Sequence, residues 1–300
     1  MTEKTSGYAS GASASASASP GASASASPAS GASASGASGR LYLEGSPALF
    51  YAFGEVSSVM DLGWELLRGG LFPPFSSMTA LSQTQGRGRH GRVWQSPPGN
   101  LYASLRLPEK PPYRGTIAPL ALTFELSAAL EDLSGVETFI KWPNDLIFSG
   151  KKAGGVLLEN RGGNVIAGIG LNLLKAPEVE RDPAAPKPGA LPLTDPPEAL
   201  WLDLSKRLHL RYNRLNGASG AFREDSYLKS LERRLHRLGE PALLKDARTA
   251  AGEAFPELRG IILGLDISGA LLLEIPSGVV ALTGGSLLMK EPDPSGSLHP

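Results

Sequence analysis

The sequence predicts an α/β (α+β) protein with a mixed, mainly antiparallel sheet, helices packed on one face of it, and a small β-barrel towards the C-terminus. Three observations predict this. Apolar stripes at helical spacing recur at residues 59–67, 201–215 and 222–235. Between residues 138 and 173, strand-like runs follow one another through tight turns, which implies antiparallel or mixed pairing and not βαβ winding. From Gly239 onward, short apolar runs alternate with Ser-Gly turns.

Residues 6–39 are Gly-Ala-Ser and Ala-Ser repeats interrupted by Pro20 and Pro28. They have nothing large to bury and cannot offset their ordering entropy, so residues 1–40 are expected to be a disordered tail. Leu49–Phe53 reads as the first strand. Ser57 or Ser58 then caps a helix carrying Val59, Leu62, Leu66 and Leu67, which Gly69-Gly70 stops. Leu101–Leu107 alternates like a strand with one buried face. A helix from about Thr116 to Leu133 carries Pro119 in its first turn and Gly135 past its end. Thr138–Trp142, Leu146–Phe148, Lys152–Glu159 and Val165–Leu173 read as strands, the last two joined by a hairpin turn at Arg161–Asn164. Pro177–Pro197 reads as an irregular surface loop. Two helices follow, one with Trp201, Leu204, Leu208, Tyr212 and Leu215 and one with Phe222, Leu228, Leu231 and Leu235. The short strands after Gly239 complete a domain order of tail 1–40, main domain 41–238, barrel 239–290 and tail 291–300.

Bulk properties narrow the function. The chain has 300 residues, 41% of them hydrophobic, enough for a sizeable core. Its formal net charge is zero, so no global field draws it to nucleic acid or membrane. It has no Cys, which excludes disulfides, thiolate metal sites and cysteine nucleophiles, and is compatible with the cytoplasm. No apolar run follows Met1, so no signal peptide is expected. No stretch approaches the ~20 apolar residues that span a bilayer.

The stretch richest in chemistry is Gln83–Trp94, in which Gly86, Gly88 and Gly91 interleave with Arg87, Arg89 and Arg92. Glycine lets the backbone turn through positive φ and approach a ligand, and arginine offers a rigid fork of donors for phosphate or carboxylate. Such a loop is a receptor for an anion, or else a solvated basic loop that touches RNA. It also fits Gly-x-Gly-x-x-Gly, but polar Ser82–Gln85 before it is poorly strand-like and Pro97-Pro98-Gly99 after it cannot continue a helix, so a dinucleotide fold is rejected. Further on, Lys141 and Lys152 stand on apolar strands, as snorkelling residues or as charges over a ligand. Asn144-Asp145 is a turn former or, at a strand end, a carboxylate for Mg²⁺ carried by phosphate oxygens. Asn172 interrupts an apolar strand, where a polar side chain needs a partner. Gly154-Gly155, Gly168 and Gly170 mark a bend or a close approach.

Four of these segments, in this order, resemble the motifs of biotin–protein ligases. Gly86–Trp94 is similar to their Gly-Arg-Gly-Arg-x-Gly-Arg-x-Trp loop, and Lys141-Trp142-Pro143-Asn144-Asp145 to their Lys-Trp-Pro-Asn-Asp strand end. Lys152–Glu159 resembles Lys-x-x-Gly-Ile-Leu-x-Glu, and Gly168–Asn172 resembles Gly-Ile-Gly-x-Asn. The resemblance spans roughly residues 48–290. The sequence departs from it where the family has Asp-Ser-Thr-Asn, here Val56-Ser57-Ser58-Val59, and where Gly284-Gly285-Ser286-Leu287 lacks the family's glutamate. The winged helix-turn-helix of the repressor-type members is not expected here, where the Ala-Ser repeats stand in its place.

The resemblance implies a class II aminoacyl-tRNA-synthetase-like catalytic domain with an SH3-like C-terminal barrel. It implies a cytoplasmic ligase, a monomer or homodimer, that uses ATP and Mg²⁺ to activate biotin as biotinyl-5'-AMP. The biotinyl group then passes to a lysine of a biotin carboxyl carrier protein, with no operator DNA and no membrane as partner. Biotin would meet Ser57, Ser58, Gln83, Arg87, Gly88, Arg89 and Lys152. The nucleotide would meet Arg92, Trp94, Lys141, Asn144, Asp145 and Asn172. Catalysis falls to Lys152, Arg89 and Asp145, with Asp145 also the expected Mg²⁺ ligand. A lipoate or octanoate ligase of the same fold and a nucleic-acid-binding protein using the Arg-Gly loop are the alternatives.

Overall fold

Eight strands make the main sheet, and in a computed structural model they run in the order β1-β2-β3-β4-β8-β7-β6-β5. The structure describes residues 38–42, 48–174, 176, 186–217 and 222–288. The expected tails lie outside these residues, except that β1 (Ser38–Tyr42) begins inside the first and pairs antiparallel with β2 (Leu49–Val56). β2 and β3 (Ser77–Gln83) pair in parallel, joined through helix α1 (Val59–Arg68). Every other neighbouring pair in the sheet is antiparallel: β4 (Leu101–Leu107), β5 (Phe139–Lys141), β6 (Asp145–Phe148), β7 (Lys151–Arg161) and β8 (Asn164–Leu171). The mixed, mainly antiparallel sheet is as expected.

β3 was not expected. Ser77, Thr79 and Ser82 are polar yet buried, because β3 lies between two strands. The strand does not revive the dinucleotide reading, since the chain after it forms only a three-residue 3₁₀ turn at Arg89–Gly91.

The helices are not all on one face, which corrects the expectation. Side chains alternate across a strand. On β8, Val165, Ala167, Ile169 and Leu171 join the core formed with α2 (Ala118–Ser134) and α3 (Pro197–Asn216), while Ile166 packs with Met60 and Trp64 of α1. α1 therefore covers the opposite face. Its buried residues are Val59, Met60, Gly63 and Trp64, with Leu62, Leu66 and Leu67 only partly buried. Gly63 allows the close approach: a Cβ there would lie 2.7 Å from Ser104 Oγ.

The Pro177–Pro197 segment is not simply a surface loop. Its described part runs beside β7, with a parallel bridge between Lys152 and Pro188, and buries Leu191 and Leu193 in the core. After α4 (Glu224–Glu232), β9 (Pro241–Thr249), β10 (Ala254–Leu265), β11 (Leu271–Ile275) and β12 (Gly278–Leu287) pair antiparallel and close into a ring, β10-β11-β12-β9. Trp142 Nε1 donates to Gly269 O, tying the ring to the strand end that carries Asn144 and Asp145. Among the described residues no helix is long and apolar enough to cross a membrane.

Candidate active site

A cavity of about 580 Å³ lies on the α1 face of the sheet, between the Arg-Gly loop, the ends of β5–β8 and the barrel. That volume is ordinary for a small-molecule site. Its floor is glycine. Gly155 and Gly170 are register partners on β7 and β8, and the Trp94 ring lies over them. A Cβ at Gly170 would come within 2.6 Å of that ring, so only glycine admits Trp94 here. Gly170→Ala should displace Trp94, destabilising the fold by roughly 1–3 kcal/mol. Urea unfolding checks it, and a variant of unchanged stability contradicts it.

The loop is held at its start and crossed by its own backbone. Thr84 N and Gln85 N donate to Val56 O and Ser57 O, and Gly88 N donates to Arg92 O. His90 (φ 56°) and Gly91 (φ 71°) turn the tip through left-handed conformations. The arginines then go to fixed partners. Arg87 Nη2 meets Asp61 Oδ1 at 2.7 Å and Glu159 Oε1 at 3.5 Å. Arg89 Nη1 donates to Asn144 Oδ1 at 3.2 Å across the cavity. Arg92 Nη2 donates to Ser286 Oγ of the barrel at 3.3 Å. Burial lowers the Arg89 pKa, opposed by the charge of Asp145.

Opposite the loop, Asp145 Oδ1 lies 2.5 Å from Lys152 Nζ, and its Oδ2 lies 3.3 Å from Lys141 Nζ. Burial alone would raise the Asp145 pKa; the Lys152 and Lys141 ammoniums overcome it and hold the carboxyl at about 2. Burial lowers the Lys141 pKa, and Asp145 opposes that shift. Because the folded pKa of Asp145 lies below the usual 3.8, its contribution to stability is present above that value and lost as pH falls towards 2. Acid unfolding followed by circular dichroism should show this component in the native chain and not in Asp145→Asn. Identical acid slopes would contradict it.

Lys152 reaches the cavity because β7 carries a bulge. Leu146 pairs with Gly154, but Ile147 pairs with Lys152, so Ala153 is an extra residue. Val156 packs in the core on the even-numbered face of β7, and an unbroken strand would send Lys152 there too. The bulge sends Ala153 into the core and turns Lys152 to the site. The Lys152 ammonium then also sits 5.4 Å from the centroid of the Trp94 ring.

Of the expected site residues, Ser58, Gln83, Arg87, Gly88, Arg89, Arg92, Trp94, Lys141, Asn144, Asp145 and Lys152 line this one cavity. Ser58 is also the N-cap of α1, accepting from Met60 N. Gln83 Oε1 accepts from Val59 N, and its Nε2 donates to Ser96 Oγ. Ser57 is exposed and outside the cavity lining, and so is Asn172, which is buried under the Pro186–Leu191 segment. The residues that sequence reasoning missed come from the barrel: Lys245, Asp246, Gly285 and Ser286 complete the wall. Asp246 (φ 52°) and Gly285 (φ 140°) take positive φ, and nothing in the sequence announces the first.

The donor set does not fit Mg²⁺ at Asp145. Both carboxylate oxygens already face ammoniums, and a dication would stand between Lys141 and Lys152. Among the described residues no three His, Asp or Glu side chains gather as a ligand set.

A glycine-floored cavity ringed by Arg89, Arg92, Lys141 and Lys152 is suited in size and charge to an anionic small molecule. The comparisons agree. Residues 57–174 match the model of the biotin/lipoate A/B protein ligase family. A biotin--[acetyl-CoA-carboxylase] ligase of Paracoccus denitrificans is 37% identical over 221 residues, covering 66% of this chain and 84% of that one. The bifunctional ligase/repressor BirA of Escherichia coli (strain K12) is 29% identical over 219 residues, covering 69% and 64%. The solved biotin protein ligase from Aquifex aeolicus in complex with biotin and ATP superposes with a TM-score of 0.62 at 26% identity, covering 79% of this chain and 97% of that one. The chain belongs to the biotin–protein ligase family.

Proposed function

We propose that this protein is an ATP-dependent ligase that activates biotin as biotinyl-5'-AMP and transfers it to a lysine of a biotin carboxyl carrier domain. The observation that carries the reading is Lys152: a bulge aims its ammonium into a cavity that Arg89 crosses from the other side. In the first half-reaction the biotin carboxylate attacks the α-phosphate of ATP and pyrophosphate leaves. Two anions must meet, and positive charge fixed between them lowers the barrier. Lys152 is placed to bridge them, with Arg89 and Arg92 on the loop side. Mg²⁺, if it accompanies ATP, would have to come on the nucleotide and not on Asp145, whose two oxygens already face ammoniums. In the second half-reaction the carrier's ε-amine attacks the acyl carbon and AMP leaves.

The resemblance leaves Asp145 to orient or deprotonate the carrier amine, and the second of these does not suit it. A carboxylate held at about 2 between two ammoniums is a poor acceptor for the amine's proton, so it orients Lys152. Residues 41–238 serve as the catalytic domain, of the class II synthetase-like kind, and 239–290 as an SH3-like barrel that walls the nucleotide side. Its four antiparallel strands support that assignment. The nucleic-acid reading has less support, because the formal net charge is zero and Arg89 turns inward to Asn144.

The test is incubation of the chain with biotin, ATP and an apo carrier domain, followed by mass spectrometry of the carrier. Addition of one biotinyl group, blocked by replacing the carrier's acceptor lysine with arginine, is expected. An unmodified carrier beside a chain that is folded and binds ATP would contradict the reading.

A further inference from the structure

Asn172 lies outside the cavity lining and is 3% exposed, yet it touches the strand that carries Lys152 twice. Its backbone N–H donates to Ala153 O at 2.8 Å, and its side-chain Nδ2 donates to Lys152 O at 3.3 Å. These are the two consecutive carbonyls of the bulge. The same Nδ2 donates to Gly189 O at 2.9 Å, and Asn172 O accepts from Leu191 N at 2.8 Å. The strap itself completes Lys152: Lys152 N donates to Lys187 O, and Gly189 N donates to Lys152 O. Leu191, 1% exposed, roots the strap in the core. Gly189 lets it lie close, since a Cβ there would come within 2.6 Å of Lys151 Cβ.

A bulge disrupts the ladder and leaves its extra residue unpaired unless other groups supply partners. Here β8 ends at Leu171, and the next residue supplies them. We propose that Asn172 is a positioning residue for Lys152: with the strap at 187–191 it clamps the bulge that turns the Lys152 ammonium into the cavity. It does so through the backbone carbonyls of the bulge. An aspartate of the same shape has no N–H to donate and would set a charge against two carbonyl oxygens. The inference rests on reading Lys152 as the residue that acts on the reacting anions.

Two measurements on the full chain test it. In Asn172→Ala and Asn172→Asp, amide exchange read by mass spectrometry should become faster at 151–155 and 187–191. The single-turnover rate of pyrophosphate release at saturating ATP should fall about 100-fold, as small misplacements of a reacting group do, with ATP affinity retained. In a Lys152→Ala background, Asn172→Ala should cost no more than about twofold further, because the two residues act as one unit. Unchanged exchange, a full independent loss in that background, or weakened ATP binding with a normal rate would overturn the proposal. Gly189→Ala, which pushes the strap off Lys151, carries the same cycle should the Asn172 variants not fold. If the native chain releases no pyrophosphate with biotin, the ligase reading fails, and the exchange experiment still decides the clamp.

Discussion

In Lys152→Ala, biotin-dependent pyrophosphate release falls about 100- to 1,000-fold, the loss expected when one preorganised charge is removed from a developing anion. The reason is positional. Lys152 Nζ is fixed on three sides, by Asp145 Oδ1 at 2.5 Å, by the Trp94 ring, and by a backbone clamped at the bulge. Fixed in this way, it needs no reorganisation as the carboxylate and α-phosphate approach. The variant should stay folded, because Asp145 keeps Lys141 as a partner and Ala153 still fills the core. Stopped-flow detection of pyrophosphate beside a thermal melt separates the two effects. A rate within about threefold of the native chain would remove Lys152 from the chemistry, being worth less than 1 kcal/mol.

Arg89→Gly should act on the other half of the cycle. The Arg89 guanidinium crosses from the 3₁₀ turn to Asn144 Oδ1, and this contact joins the loop tip to the strand end behind the cavity. Without it the loop keeps its holds at Thr84, Gln85, Arg87 and Arg92 but loses its link to the strand end at Asn144. Biotinyl-5'-AMP should still form, then leave before the carrier amine arrives, because a closed loop is what keeps a reactive mixed anhydride from water. The expected readout is near-normal pyrophosphate release together with biotin on lysines of an added bystander protein. Loss of adenylate formation with no stray labelling would reverse the division of roles between Arg89 and Lys152.

The residues of the site were more legible than their arrangement. Glycine and arginine in alternation have few local explanations, and Lys141–Asp145 and Gly168–Asn172 stand out because charged or polar groups break apolar strands. The hairpin turn at Gly162-Gly163, with φ of 57° and 80°, is written in its residues. What the sequence hid was decided at long range. β3 reads as polar because Ser77, Thr79 and Ser82 are buried only once β2 and β4 flank it. The side of the sheet that α1 takes depends on which neighbour Gly63 lets it approach. The direction of Lys152 turns on one extra residue in β7, and alternation counted along the sequence points it the wrong way. Asn172 carried a motif match, yet its partners are the bulge and a strap from the proline-rich segment. Ser57 lies outside the cavity lining, and its carbonyl accepts from Gln85 N to hold the loop.

The most direct measurement is pyrophosphate release by the purified chain with ATP and each of three acids in turn: biotin, lipoate and octanoate. The account predicts release with biotin, dependent on Lys152, and none above background with the other two. Release driven by lipoate or octanoate but not by biotin, or release indifferent to Lys152, would contradict it.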